Sequence, residues 1–364
     1  MSKTKQLLEK ISSAIRSGQL PLGSIPIDDI KNSVRYEIEL YRNTMSYEQY
    51  MCIINSFNKL CSNISEDESD VSKILLLLDA LILCIDMLSD MIYALANKEY
   101  WEYKHFSELD DPEIQEVIEY IDKKQRISLL NYNFVDEYSA LQVEVLFDMN
   151  CQMFYVPYKG RKMYFPKGWD EEKVIDYYRS VVAEQDKRSP HCYTDAGYEI
   201  SHGDVVVDVG AAEGIFALDT IDMAKKVYLI EADQEWVEAL LQTFKDDSDK
   251  VKIIRGFADC VDEGERITLD SLFMEEVNYI KMDIEGYEKP ALLGAKRLLQ
   301  EGNQIKCAIC AYHCKEDETW IKEYLKEQGF ITDVSNGYIC PDWTVEAYID
   351  AELRRGIVFG RKQN

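Results

Sequence analysis

Basic residues are the scarce component of this chain. Its 364 residues hold 41 Lys and Arg against 67 Asp and Glu, a formal net charge of -26, so a polyanionic partner would be repelled. The deficit runs through both parts: residues 1–150 carry 14 basic and 26 acidic side chains, residues 151–364 carry 27 and 41. Nucleic acid and an anionic membrane are therefore not expected partners. The start of the chain, MSKTKQLLEK, lacks the apolar stretch of a secretory signal. The ten cysteines are scattered rather than spaced as a disulfide framework, and a reducing cytoplasm is the expected setting. Long uncharged apolar runs are missing as well. The most apolar segment, residues 74–92, is about as long as a membrane span but contains Asp79, Asp86 and Asp90. At about 100° per residue these carboxylates share one narrow stripe, so the segment reads as a buried amphipathic helix. There is no internal repeat and no low-complexity tail.

What is present is enough apolar material, 46% of residues, to bury a sizeable core, in a length that suggests about two domains. Residues 1–135 read as a helical N-terminal module, with helices expected over 3–16, 28–43, 47–62, 70–96 and 112–124. Such helices offer a surface for homo-oligomerisation. Residues 136–188 read as a small connector: alternating aromatic segments (QVEVLFD, CQMFYVPY, RKMYFP) joined by turns such as Lys159-Gly160 predict an antiparallel element, and 170–186 predicts a helix. From 189 to 364 short β-branched runs alternate with amphipathic stretches: VVVDVG, KVYLIEAD, KVKIIRGFAD, VNYIKMDIEG and IKCAICAYH. That rhythm predicts a parallel α/β sheet with crossover helices. Strands over 330–335 and 356–361 would close its edge around an insertion containing GYICPDW.

The first of these strands runs into Asp208, Gly210, Ala211, Ala212, Glu213 and Gly214, a small-residue turn where backbone can approach a ligand closely. Twenty-one residues after Gly210, at the next strand end, stands Glu231, placed to accept both hydroxyls of a ribose. The third strand ends at Gly256-Phe257-Ala258-Asp259, suited to an adenine edge, with Asp259 accepting from an exocyclic amine. The turn is not the G-x-G-x-x-G of dinucleotide enzymes, and Glu213 would repel a pyrophosphate. A cationic sulfonium amino acid, S-adenosylmethionine, suits an acidic turn with Asp208 and Glu213 better.

Two motifs, Asp208-Val209-Gly210-Ala211-Ala212-Glu213-Gly214 and Lys281-Met282-Asp283-Ile284-Glu285-Gly286-Tyr287-Glu288, resemble those of the FkbM-type S-adenosylmethionine-dependent methyltransferases, D-V-G-A-x-x-G and K-x-D-x-E-G-x-E. The similarity spans about residues 185–330 and includes Leu292-Leu293-Gly294-Ala295. It implies a class I methyltransferase (Rossmann-like) fold, with a mostly parallel seven-stranded sheet, and O-methylation of a hydroxyl on a sugar or secondary metabolite. Ala212 stands where the family often has Asn.

An alcohol acceptor must lose a proton, which calls for a base or a metal near the transferred methyl. The fourth and fifth strand ends carry Asp283, Glu285 and His313. His313 is the expected base, Asp283 is expected to touch the donor's methionine part or the acceptor, and Glu285 either acts there or caps the helix starting near Gly286. These three would suit magnesium or manganese, but no metal is expected to be required. Cys307, Cys310 and Cys314 read as thiols rather than a zinc site, because strand residues three apart point to opposite faces. In Ser189-Pro190-His191-Cys192-Tyr193, His191 and Tyr193 are candidates to cover the cofactor pocket. Trp169, Tyr177 and Tyr178 read as core of the preceding helix, and Trp320 with Tyr324 as packing between a helix and the sheet. Two further readings stay open: a peptide acceptor docked by the N-terminal helices, and a non-catalytic adenosyl-binding or assembly module.

Overall fold

The β-branched runs form one seven-stranded sheet in the computed structural model, which describes residues 106, 109–124, 127–195, 197–272, 274, 276–341 and 352–362. The helices expected over 3–16, 28–43, 47–62 and 70–96, the apolar run 74–92 and residues 342–351 of the insertion lie outside the described residues. Among the described residues no helix is long and apolar enough to cross a membrane. The chain divides into two compact units. One takes in Met1–Leu109, Ile121–Leu129 and Cys340–Glu352; the other comprises Asp110–Tyr120, Leu130–Ile339 and Leu353–Asn364 and holds every strand named below.

The predicted antiparallel element is a three-stranded meander, β1 (Leu146–Asp148), β2 (Met153–Tyr158) and β3 (Arg161–Tyr164), in that order. Tyr158 pairs with Arg161, so the loop is Lys159-Gly160 alone. Both residues have positive φ, 47° and 82°, as a two-residue hairpin turn matched to strand twist requires. The following helix, Glu171–Glu184, begins at Asp170, whose side chain accepts the Lys173 N–H at 2.8 Å, with Glu171 and Glu172 favourably placed in its first turn.

The large sheet contains β4 (Val205–Val209), β5 (Lys226–Glu231), β6 (Val251–Arg255), β9 (Tyr279–Met282), β10 (Lys306–Cys310), β11 (Phe330–Val334) and β12 (Ile357–Lys362); the short β7 (Phe257–Ala258) and β8 (Arg266–Ile267) pair separately. Its order is β11-β12-β10-β9-β4-β5-β6. Only β12 runs against the others, antiparallel to both β10 and β11. This is the mostly parallel seven-stranded sheet that the resemblance implied. Every residue of its central strands β4 and β9 is buried, as in a sheet covered on both faces, and all but Asp208 and Lys281 are apolar or aromatic. Trp320 and Tyr324 stack at 4.9 Å, and the Tyr324 hydroxyl donates to the Leu292 carbonyl, tying the helix Asp317–Glu327 to the helix Glu288–Leu293.

The strand order reverses at β4, whose neighbours are β5 on one side and β9 on the other. In open parallel sheets a crevice forms there beyond the carboxyl ends. Gly210 sits at its floor with φ 77°, and a Cβ built on it would lie 1.8 Å from the Asp283 carbonyl oxygen. Gly210→Ala therefore combines a left-handed backbone with a backbone clash. It is expected to cost about 3 kcal/mol of unfolding free energy, measured by denaturant titration; a loss below about 0.5 kcal/mol would refute the close approach.

Candidate active site

At the switch point the backbone itself joins β4 to β5. The Gly210 and Ala211 N–H groups donate to the Ile230 carbonyl at 2.9 and 3.3 Å, and the Ala212 N–H donates to Glu231 Oε2 at 2.9 Å. The other Glu231 oxygen accepts the Asp233 N–H at 2.8 Å. Each carboxylate oxygen thus keeps further accepting capacity in a fixed orientation against the turn. Glu213 is buried, with Oε2 accepting the Tyr177 hydroxyl at 2.9 Å and Oε1 accepting the Ile215 N–H at 3.3 Å at the head of the helix Ile215–Thr220. Gly214, with φ 80°, lets the chain turn into that helix. Gly256 donates to the Glu231 carbonyl at 3.0 Å, bringing the third strand end beside the second. Ala258 is buried, and Asp259 accepts the Cys260 N–H at 2.5 Å and lies 3.5 Å from Arg266. The Cys260 amide, with Arg266 adding to it, holds the Asp259 carboxyl below the usual range.

Between β4 and β9 lies a buried ion pair, Lys281 with Asp208, 3.0 Å apart. Lys281 also donates to the Gly210 carbonyl at 2.5 Å. Burial alone would discharge the ammonium, but Asp208 and Asp283 outweigh it and hold its pKa above the ordinary lysine value. Asp208 is thus fully buried behind the turn, braced by Lys281.

Asp283, just past β9, is the hub. Its Oδ2 accepts the Tyr193 hydroxyl at 2.5 Å and lies 3.6 Å from His191 Nε2, while Oδ1 lies 3.5 Å from His313 Nε2. His313 Nδ1 is 3.0 Å from Glu288 Oε1, which also accepts the Ile284 N–H at 2.9 Å. His191 Nε2 shares a 2.8 Å hydrogen bond with the Tyr312 hydroxyl. Burial would raise Asp283, but Lys281, His313, His191 and the Tyr193 hydroxyl lower it to about 2. Burial would likewise lower His313, yet Glu288, Asp283 and Glu285 lift it to about 9. For His191 burial prevails and its pKa falls to about 4. One imidazole is therefore cationic at neutral pH and the other is not.

The sequence expectations fare unevenly against this geometry. Gly210, Ala211, Glu213 and Gly214 share one turn with Glu231 bonded against it, whereas Asp208, expected with them, is buried behind the turn against Lys281; Tyr193, expected to cover a cofactor pocket, donates to Asp283. His313 lies beside Asp283 and Glu285, as expected, but in the charged form, which cannot accept a proton. Glu285 does not cap the helix: with φ 55° it turns outward, its side chain 87% exposed, and the helix begins at Glu288. Glu288 is the glutamate of the motif that is buried beneath His313, and only the alternative spacing of D-x-E-G-x-E could have hinted at it. Lys281 is legible in the sequence only as part of the motif, with no role of its own, because Asp208 is distant in the chain; Tyr312 escaped the sequence reading for the same reason, and Glu184 because a helical glutamate carries no local signal of its burial. Tyr177 packs with Phe165, Trp169 and Trp236, all ring centroids within 6.4 Å, and in addition orients Glu213. Cys307, Cys310 and Cys314 are free thiols, the first two buried in β10.

Asp283, Glu288 and His313 offer donor atoms within 4.8 Å of one another, as do His191, Asp283 and Cys310. In the first group the two carboxylates face opposite nitrogens of one ring, an arrangement that fits a shared proton at each nitrogen better than a single ion bound to all three.

Residues 262–332 match the methyltransferase FkbM domain. Among solved structures, the chain is similar to methyltransferase FkbM from Methylobacillus flagellatus KT, with 19% identity, 53% of this chain and 55% of that chain covered, and a TM-score of 0.39. It is also similar to precorrin-6y C5,15-methyltransferase from Geobacter metallireducens GS-15 (12% identity, 46% and 85% covered, TM-score 0.33). A third is SMU.1697c from Streptococcus mutans, solved in complex with SAH (15% identity, 45% and 91% covered, TM-score 0.32). The chain thus spans little more than half of the first of these structures. No curated protein matches it.

Two outcomes follow from the site's electrostatics. Lys281→Met leaves Asp208 buried without its counter-charge and is expected to destabilise the fold by about 3–5 kcal/mol, with the double variant Asp208→Asn, Lys281→Met recovering part of that loss in denaturant titrations. His313 holds its proton more tightly in the folded chain, about 9, than at its ordinary 6.5. The resulting stabilisation is complete below pH 6.5 and disappears as pH rises through 9. Relative to His313→Gln, the native chain should lose on the order of 3 kcal/mol between pH 6.5 and 9.5; parallel stability curves would contradict the assignment.

Proposed function

We propose that this chain, whose residues 262–332 carry the methyltransferase FkbM domain, is an S-adenosylmethionine-dependent methyltransferase acting on a hydroxyl of a sugar or secondary metabolite. One observation supports it above the others: a glycine turn and an oriented acid, Glu231, meet at the sheet's switch point, beside the Asp283 cluster. The fit to the donor rests on this chemistry. Gly210 presents bare backbone, Glu231 keeps accepting capacity for ribose hydroxyls, and Ala258 with Asp259 stands beyond the third strand for the adenine. Glu213 and Asp283 supply negative charge toward an ammonium and a sulfonium. Bound there, the donor would supply an electrophilic methyl group.

The residues of the chain then have two tasks. The first is to hold acceptor and donor at attack distance, which alone can account for much of a methyl transfer rate. The second is to receive the acceptor's proton. The exposed Glu285 side chain lies 3.6 Å from His313 and can steer an acceptor's hydroxyls toward Asp283. No step requires a metal in this reading.

The test is to incubate the chain with a deuteromethyl donor and a cell extract and to find the product by its mass shift. Glu231→Ala should weaken binding of S-adenosylhomocysteine by about 1–3 kcal/mol, the worth of a hydrogen bond to a charged group, read by calorimetry. Unchanged affinity in that variant would remove the ribose assignment. A labelled product that is a peptide would replace the small acceptor.

A further inference from the structure

Two histidines flank Asp283, and their surroundings differ in kind. His313 has a carboxylate at each ring nitrogen, Glu288 at Nδ1 and both Asp283 and Glu285 at Nε2. While that imidazolium persists, neither nitrogen has a lone pair for an incoming hydroxyl. His191 is arranged otherwise. Its Nε2 is anchored by the Tyr312 hydroxyl and lies near Asp283. Its Nδ1 is buried, has no hydrogen-bonding partner among the described residues, and faces the Glu184 carboxylate across 3.9 Å. A buried ring nitrogen without a partner is costly and uncommon, and a ligand hydroxyl seated beside the Glu184 carboxylate would satisfy it.

The tautomer follows from the neighbours. Asp283 is the stronger anion and stands on the Nε2 side, favouring the proton there and leaving the lone pair on Nδ1. Glu184, on the Nδ1 side, is raised by burial to about 7 and competes less for that proton. The remaining groups acting on His191 are Lys281 and His313 as cations, with Tyr193 and Tyr312 as ring neighbours.

We infer that His191, rather than His313, takes the proton that the acceptor hydroxyl loses, at Nδ1, with Glu184 as the group that passes it on. This rests on the methyl-transfer reading above. In the step, a lone pair of the acceptor oxygen forms the bond to the methyl carbon, and the carbon–sulfur pair stays with the sulfur of the released thioether. The acceptor O–H bond breaks with its electrons left on oxygen, and the proton converts His191 to imidazolium. An alcohol oxygen becomes strongly acidic as its new bond to carbon forms, so a weak base that is unprotonated at the outset suffices. The cationic His313 stays as it is and fixes Asp283.

Nitrogen-15 NMR of the histidine-labelled chain, with His191→Gln and His313→Gln for assignment, reads the charge states directly. Between pH 5.5 and 8 His191 is expected to be neutral with an unprotonated Nδ1, and His313 to be charged. A charged His191 at pH 7, or a proton on its Nδ1, overturns the inference. In the extract fraction that yields labelled product, His191→Gln should lower single-turnover methyl transfer by about 100-fold or more, with S-adenosylhomocysteine affinity within about threefold of the unaltered chain. Transfer within about fivefold at kept affinity overturns His191 alone. An unaltered chain that neither binds S-adenosylhomocysteine nor labels anything in the extract overturns the methyltransferase reading and this inference together.

Discussion

The ion pair between Lys281 and Asp208 is the constraint on which the site depends. Two opposite charges lie in the middle of a sheet where neither is solvated, and their mutual attraction must offset a large desolvation cost. What the pair does for the molecule is geometric. The ammonium holds β9 to β4 and takes the Gly210 carbonyl as well, so the backbone of the turn cannot drift from Asp283. Because Lys281 also lowers the Asp283 carboxyl, the same buried cation secures the charge of the hub.

Around that cation the balance is strongly negative. Glu184, Glu213, Glu231, Asp283, Glu285 and Glu288 gather near the strand ends, with His313 as the second positive group. An anionic ligand would meet an excess of carboxylates there. A ligand bearing positive charge relieves them. The overall deficit of basic residues therefore has a local counterpart at the strand ends.

The fold was legible because buried parallel strands leave a nearly continuous apolar signature: Val205–Val209, broken only by Asp208, and its glycine turn could be read directly, and the strands β11 and β12 toward one edge of the sheet were legible near residues 330–335 and 356–361. Asp170, and Pro112 at the head of the helix Pro112–Lys124, marked their helices because caps and first-turn prolines are local devices. The site was legible only where it is local. Glu231 follows its strand at a telling distance, whereas the choice between Glu285 and Glu288 turns on a single positive φ. Nor does any spacing announce that His313 would be boxed by carboxylates and His191 left without one bonded at Nδ1; the two rings meet at Asp283 only because the segment around residue 191 folds against the ends of β9 and β10.

Tyr177 reaches from the helix Glu171–Glu184 to the carboxylate of Glu213, and Glu184 ends that same helix opposite His191. The stretch that precedes the sheet is thus wired into the crevice at two points. Grafting the mostly parallel sheet alone onto another protein, or exchanging the meander and its helix between relatives, would leave Glu213 without the Tyr177 hydroxyl and His191 without Glu184: the elements that look like an appendage in the linear order hold part of the site.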